Sequence, residues 1–346
     1  MFLAGIFSSF PLVLLLFLAS SITVIAASAR FTRQLEALCE VFQLSIGILS
    51  LLSALGANIP NYVSSALAIL DRHVDVGIGI IIGSNIYNIA ITLALCTLLT
   101  TTSSGIILET QARRDVRVIA WYALIITLGA CLVIALLPGK TLMALFPTTE
   151  HMGLLVPLVQ ALVLVVFGGF IVHALRRSRG SAGTTLAHHD HEDLKTPLSV
   201  VRLSAEIIFT LAIALGGVLV MVQSGQILTD DLHMPSILAG LLVLAIATSL
   251  PNTVVAISLV RTGEAAACVE ELCSSGSINI ALGIVLPLVF WPGILTDRFL
   301  LLLDGPLLLL LALAVLLCLF KGRMSRSLGI LLFCIYVIWV LIRFWL

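Results

Sequence analysis

Two polar motifs recur inside apolar stretches of this 346-residue chain. The first copy reads Gly56-Ala57-Asn58-Ile59-Pro60-Asn61, then Gly83-Ser84-Asn85-Ile86-Tyr87-Asn88. The second reads Ala247-Thr248-Ser249-Leu250-Pro251-Asn252, then Ser274-Ser275-Gly276-Ser277-Ile278-Asn279. Their amides and hydroxyls are donors and neutral oxygen acceptors that do not titrate. Proline has no N–H and frees a carbonyl one turn earlier, so each Pro-Asn pair sets a bare carbonyl beside an amide and predicts a broken or kinked helix. Ser84 and Asn88 are four apart and share a helix face, as do Ser275 and Asn279. Two breaks crossing two polar faces bring four amides together, Asn61, Asn88, Asn252 and Asn279, flanked by Ser84, Ser275, Asn58, Thr248 and Ser249. Neutral oxygens of this kind can select a monovalent ion. The competing reading is that they tie helices together in lipid. Pairing in one register favours a site, because buried polar groups in a membrane need partners or a function.

Glu270 and Glu271 are the nearby acids. Glu271, Ser275 and Asn279 are spaced by four, which sets Glu271 about 12 Å from Asn279 along a helix. That is the distance of a vestibule rather than of a ligand. Equally, both acids would suit a helix start at the membrane surface, where the dipole favours them.

The motifs form an internal repeat. With an offset of 191 residues (252 − 61), Pro60-Asn61 falls on Pro251-Asn252, Ser84 on Ser275, and Asn88-Ile89-Ala90 on Asn279-Ile280-Ala281. Ser45-Ile46 and Ser236-Ile237 keep the same offset. The element that holds them is a membrane helix: 60% of residues are hydrophobic and 10% charged, against roughly a quarter charged in soluble proteins. The apolar runs are continuous rather than alternating, which excludes a barrel. Zero net charge leaves no basic footprint for nucleic acid.

Ten runs are long enough to span: roughly 6–28, 38–70, 77–101, 118–137, 153–175, 204–222, 235–260, 266–290, 299–320 and 327–345. The first reads as a span, not a signal peptide, since no basic n-region precedes it. Five spans per half is an odd number, so the halves insert in opposite senses, as in many secondary transporters. The expected fold is an all-α membrane protein of ten transmembrane helices in two inverted five-helix repeats, 1–175 and 204–346, joined by a flexible linker at 176–203. Of the 18 Lys and Arg, 14 fall on the linker's side and 4 (Arg72, Lys140, Arg298, Arg343) on the other. The positive-inside rule then makes the linker cytoplasmic and both termini external, in a cell's inner membrane. The linker's His188, His189, Asp190, His191, Glu192 and Asp193 include metal-ligand types, but without cysteine or fixed spacing they read as a solvated tract. Seven scattered cysteines read as small buried hydrophobes. No motif calls for a cofactor or a firm metal site, and no enzyme constellation lies within the spans.

Gly83-Ser84-Asn85-Ile86-Tyr87-Asn88 and Ala247-Thr248-Ser249-Leu250-Pro251 resemble the two repeats of the calcium/cation antiporter superfamily, which includes the sodium/calcium exchangers. The resemblance covers both repeats and the five-plus-five topology, and it implies the exchanger fold and cation antiport. The family places a Glu after each proline, where this chain has Asn61 and Asn252, and often an Asp where it has Asn279. Ca²⁺ takes six to eight oxygens, normally with carboxylates, and four amides neutralise nothing. The residues therefore suggest a secondary-active transporter of a cation or small solute, coupled to Na⁺ or H⁺, with ordinary Ca²⁺ exchange in doubt. A non-transporting membrane sensor or partner protein that keeps the fold is the alternative.

Overall fold

The computed structural model describes residues 10–41, 54–100, 102, 104–138, 152–180, 197–232 and 236–346. The segments 42–53 and 181–196 fall outside the described residues, and with them Ser45-Ile46 and the histidine tract at 188–193. Ten apolar helical elements follow one another: α1 Phe10–Val41, α2 Ile59–Leu70, α3 Val74–Leu99, α4 Thr110–Leu136, α5 Met152–Gly180, α6 Pro197–Asp231, α7 Ala239–Arg261, α8 Ala265–Phe290, α9 Leu300–Lys321 and α10 Arg326–Trp345. Among the described residues, nine are long and apolar enough to cross a bilayer; α2 is the shorter one. The chain is a multi-pass integral membrane protein built as two inverted five-helix repeats, α2 and α3 of the first answering α7 and α8 of the second.

Helix ends and membrane ends do not coincide. The linker-side basic residues were expected in loops, yet Arg30 and Arg33 lie within α1, Arg113, Arg114 and Arg117 within α4, and Arg176, Arg177 and Arg179 within α5. Hydropathy marks where lipid stops; the backbone ladder continues through Arg, Gln and Glu, which are good helix formers. The expected linker is shortened likewise, since α5 runs to Gly180 and α6 starts at Pro197.

Burial separates inner from outer helices. The α3 span is 83% buried, the α5 span only 17%. Leu158, Leu162, Val165 and Phe209 on α5 and α6 are exposed; such a surface suits lipid, which solvates apolar side chains but no bare backbone. The cysteine expectation needs one correction: Cys96 and Cys268 are buried, but Cys334 lies on the exposed side of α10.

Close backbone approach holds the inner helices at their crossing. A Cβ on Gly83 of α3 would lie 2.2 Å from Leu241 O of α7, and one on Gly240 of α7 would lie 2.5 Å from Val76 O of α3. Small residues allow this approach where lipid gives no hydrophobic drive between helices. π-helical turns at Asn88–Thr92 and Ala281–Val285 interrupt α3 and α8 two residues out of the 191 register, and another, Ala239–Leu244, opens α7.

The two prolines behave differently. Pro60 sits in the first turn of α2, after a turn at Asn58, so the first helix is broken there as expected. Pro251 lies inside a helix continuous from Ala245 to Arg261, and no break occurs at it. The irregular geometry has moved upstream, into the π-turn at Ala239–Leu244. The carbonyl of Ala247, four residues before Pro251, still lacks its helical donor.

Candidate ion-binding site

The crossing of α2 and α3 with α7 and α8 collects the motif side chains. Asn58, Asn61, Ser84, Asn88, Thr248, Ser249, Asn252, Ser275 and Asn279 are all at most 1% exposed. Their contacts centre on Asn58. Its Nδ2 donates to Ala54 O at 2.7 Å, which leaves Oδ1 as the free acceptor. That oxygen receives Asn252 Nδ2 at 2.7 Å, Ser275 Oγ at 2.5 Å and Asn61 Nδ2 at 3.3 Å. Ser275 Oγ in turn accepts from Asn252 Nδ2 at 2.9 Å and, more weakly, from Asn88 Nδ2 at 3.5 Å.

Other polar pairs flank this cluster. The hydroxyls of Ser84 and Ser249 lie 2.8 Å apart, and those of Thr92 and Thr253 also 2.8 Å. Asn279 donates to Asn85 Oδ1 at 3.3 Å, and Asn85 Nδ2 reaches Gly276 O at 3.3 Å. Thr248 turns away, bonding Leu244 O of its own helix at 2.8 Å. Glu271 is buried within the protein, and its Oε1 has no partner; Glu270 beside it is half-buried. No hydrogen bond joins Glu271 to the four asparagines.

The expected set of four amides is thus gathered on one crossing, with a common property. The Oδ1 atoms of Asn61, Asn88, Asn252 and Asn279 are all buried and none has a hydrogen-bond partner, while each Nδ2 of Asn61, Asn88, Asn252 and Asn279 donates. The nitrogens hold the framework and the oxygens are left over. A buried acceptor without a donor typically costs about 1–3 kcal/mol. All four lie on the crossing helices, three linked through Asn58 and Ser275 and the fourth, Asn279, paired with Asn85, and none carries a charge. A cavity of ≈ 30 Å³ adjoins Asn85 and Asn88 on the side of α4 and α9.

Sequence reasoning undervalued two features. Asn85 was read only as part of a motif, yet it alone ties Asn279 to the opposite helix. Asp304 and Arg343 were not singled out. Asp304 accepts from Trp339 Nε1 at 2.7 Å, and Arg343, 4% exposed, pairs with Asp297 and lies 3.5 Å from Asp304. The signal was an acid and an arginine within otherwise apolar spans, which rarely stand without each other.

Inverted helix repeats with a polar crossing at their centre define a membrane transporter of the cation-exchanger class. A profile of the sodium/calcium exchanger protein family matches residues 12–176 and 204–345, and the chain belongs to that family. The inner membrane protein YrbG of Escherichia coli (strain K12) is 24% identical over 341 residues, covering 96% of both chains. Among solved structures, the sodium-calcium exchanger NCX_Mj shares the fold with a TM-score of 0.63 at 20% identity, over 96% of this chain and 99% of that one. The H⁺/Ca²⁺ exchanger CAX superposes with a TM-score of 0.71 at 17% identity, over 95% and 82%.

Proposed function

We propose that this protein is a secondary-active transporter that carries a small monovalent cation through the asparagine crossing, with Na⁺ or H⁺ coupling, and that it is not an ordinary Ca²⁺ exchanger. The observation that carries this reading is the set of four buried, unpartnered amide oxygens on Asn61, Asn88, Asn252 and Asn279. Neutral oxygens replace the hydration shell of a singly charged ion. A divalent ion in the same place keeps a large uncompensated desolvation cost, because no carboxylate hydrogen-bonds into the cluster. The adjoining cavity of ≈ 30 Å³ holds about one water, which suits an ion better than an organic solute. Glu271, buried about two turns along α8, is close enough to supply vestibule charge without being a ligand.

The arginine-rich face, with the linker, is assigned to the cytoplasm and both termini to the outside of an inner membrane, on the 14-to-4 distribution of basic residues. Proteoliposomes loaded with imposed gradients of Na⁺, K⁺, H⁺ and Ca²⁺ test the transport reading. Monovalent flux is expected, and it should disappear when Asn88 and Asn279 are both changed to Leu. Ca²⁺ uptake at micromolar concentration without monovalent flux would refute the selectivity. Absence of all flux would favour a non-transporting member of the family.

A further inference from the structure

On the face opposite the arginine-rich one, Arg72, Arg298 and Arg343 line a single cavity. The cavity measures ≈ 670 Å³ and lies between the start of α3 (His73, Val74, Asp75, Val76), Ile237 and Leu238 ahead of the α7 crossing, the segment 294–299 and the end of α10. It is separate from the asparagine crossing, whose residues do not line it. The lining sets three guanidinium groups against two carboxylates, Asp75 and Asp297, and both carboxylates are engaged by protein donors, so the cavity offers a cation no free acid.

Both acids of the lining face protein and Arg343 is held by acids, whereas Arg72 and Arg298 are exposed. Asp75 accepts from Thr296 N at 3.0 Å, from Thr296 Oγ1 and from Asp297 N at 3.4 Å. Asp297 accepts from Phe299 N through Oδ1 and pairs with Arg343 through Oδ2. Among the described residues, neither Arg72 nor Arg298 forms an ion pair; Arg298 lies 4.9 Å from the centre of the Phe299 ring. Arg343 is shared between Asp297 and Asp304, but its Nε has no partner although the residue is buried. His73 provides no side-chain cap for α3, so the positive end of that helix forms part of the wall. Arg72 has a φ of 67°, the left-handed backbone that glycine or asparagine adopts more readily.

We propose that this cavity binds an oxyanion of phosphate type, carried either by a lipid headgroup or by a soluble molecule. Arg72 and Arg298 supply the charge, since guanidinium matches a phosphate fork. The first-turn amides of α3 supply fixed donors, while Arg343, held by Asp297 and Asp304, backs the wall. The walls come from both repeats, so an occupant would bridge α3 to the segment that leads into α9.

Two measurements on detergent-purified protein test the site. Inorganic phosphate is titrated by calorimetry, and lipid retention is read by native mass spectrometry after exposure to phosphatidylglycerol or phosphatidylcholine. The unmodified protein should bind phosphate or retain phosphatidylglycerol selectively. The double variant Arg72→Gln/Arg298→Gln should weaken whichever is seen at least tenfold, with its elution profile and thermal midpoint unchanged. Saturable phosphate binding identifies a soluble anion, and phosphatidylglycerol retention alone identifies a headgroup. The proposal is overturned if neither binds, if the double variant binds as before, or if Arg261→Gln on the opposite face weakens binding equally.

Discussion

The contacts Ser84–Ser249 and Ser275–Asn58 are one contact made twice. Adding 191 to Ser84 gives Ser275, and subtracting it from Ser249 gives Asn58. The first is an isolated hydroxyl pair. In the second, the amide oxygen also gathers Asn61 and Asn252. The helix around each partner differs too: the chain turns at Asn58 before α2, whereas Ser249 lies within continuous α7. The repeat therefore fixes where side chains meet, and the residue chosen at each meeting point fixes what the contact does. One half supplies a hub and the other a simple tie.

Replacing each acceptor by alanine should expose that difference. Asn58→Ala strands the donors of Asn61, Asn252 and Ser275 together, at a cost of about 3 kcal/mol or more in stability. It should also abolish transport. Ser249→Ala loses one hydroxyl pair, worth about 0.6 kcal/mol in a membrane helix interface, and should retain most flux. Thermal unfolding in detergent and vesicle flux measure both. Equal losses from the two variants would show that Asn58 is no hub.

The matched asparagines give the next largest effect. Asn61→Glu with Asn252→Glu places carboxylates at both post-proline positions, and Ca²⁺ affinity should rise by about 100-fold, or ~2.7 kcal/mol. Binding should weaken at lower pH as the acids take up protons. Each substitution adds a methylene to a tight crossing, at about 1–3 kcal/mol, so Asn61→Asp with Asn252→Asp controls for size. The single variants should differ: Asn61 bonds only Asn58, whereas Asn252 holds Asn58 and Ser275, so Asn252→Glu should be the less stable. Calorimetry that finds no Ca²⁺ binding in a folded double variant between pH 6 and 9 would mark the asparagines as helix ties alone.

Much of this was legible in the sequence because an inverted repeat sets residues at one chain offset in equivalent places. Pro60, Pro251, Asn61, Asn252, Ser84 and Ser275 stood in one register, and all lie on the four helices that cross. Other features were not legible. The hub role of Asn58 depends on the turn at that residue, which the apparently equivalent Thr248-Ser249 segment lacks. Helix α7 continues through Pro251 and its irregularity lies in the π-turn several residues upstream, for which proline gives no sign. The Asp304–Arg343 pair joins residues on different helices, so the charges within the spans could signal that partners exist but not which residues they are. Helix ends were misplaced wherever polar helix formers continue past the lipid, as in α1 and α5.

Packing at the crossing tests the same asymmetry with a smaller effect. Gly83 corresponds to Ser274, so the second half tolerates a side chain where the first does not. A Cβ on Gly83 would meet Leu241 O at 2.2 Å, a backbone atom that cannot swing aside. Gly83→Ala should therefore destabilise the protein by about 2 kcal/mol. Ser274→Gly should cost about 0.5 kcal/mol from helix propensity. A Gly83→Ala variant with an unchanged thermal midpoint would mean that α3 and α7 do not approach this closely.

A similarly small effect is expected at the Thr92–Thr253 pair, whose images under the repeat are Gly283 and Tyr62. Those images also touch: a Cβ on Gly283 would lie 3.3 Å from Tyr62 Cα. The same meeting point is thus a hydroxyl pair in one place and close packing in the other, so it does not need polarity to hold the crossing. The threonine pair adjoins the site, each one turn or one residue from Asn88 or Asn252, yet Thr92 bonds no asparagine side chain. Thr253 also bonds the carbonyl of Ser249 at 3.1 Å, so changing it removes a second, local bond. A double-mutant cycle with Thr92→Val and Thr253→Val separates that local loss from the pair itself. The coupling should be about 0.6 kcal/mol, the average for hydrogen bonds between membrane helices. Valine matches threonine in shape, so packing is retained and ion selectivity should not change. A coupling several times larger, or a change in the preference among Na⁺, K⁺ and H⁺ in vesicles, would place these hydroxyls among the ion's ligands and move the site one turn along α3 from Asn88.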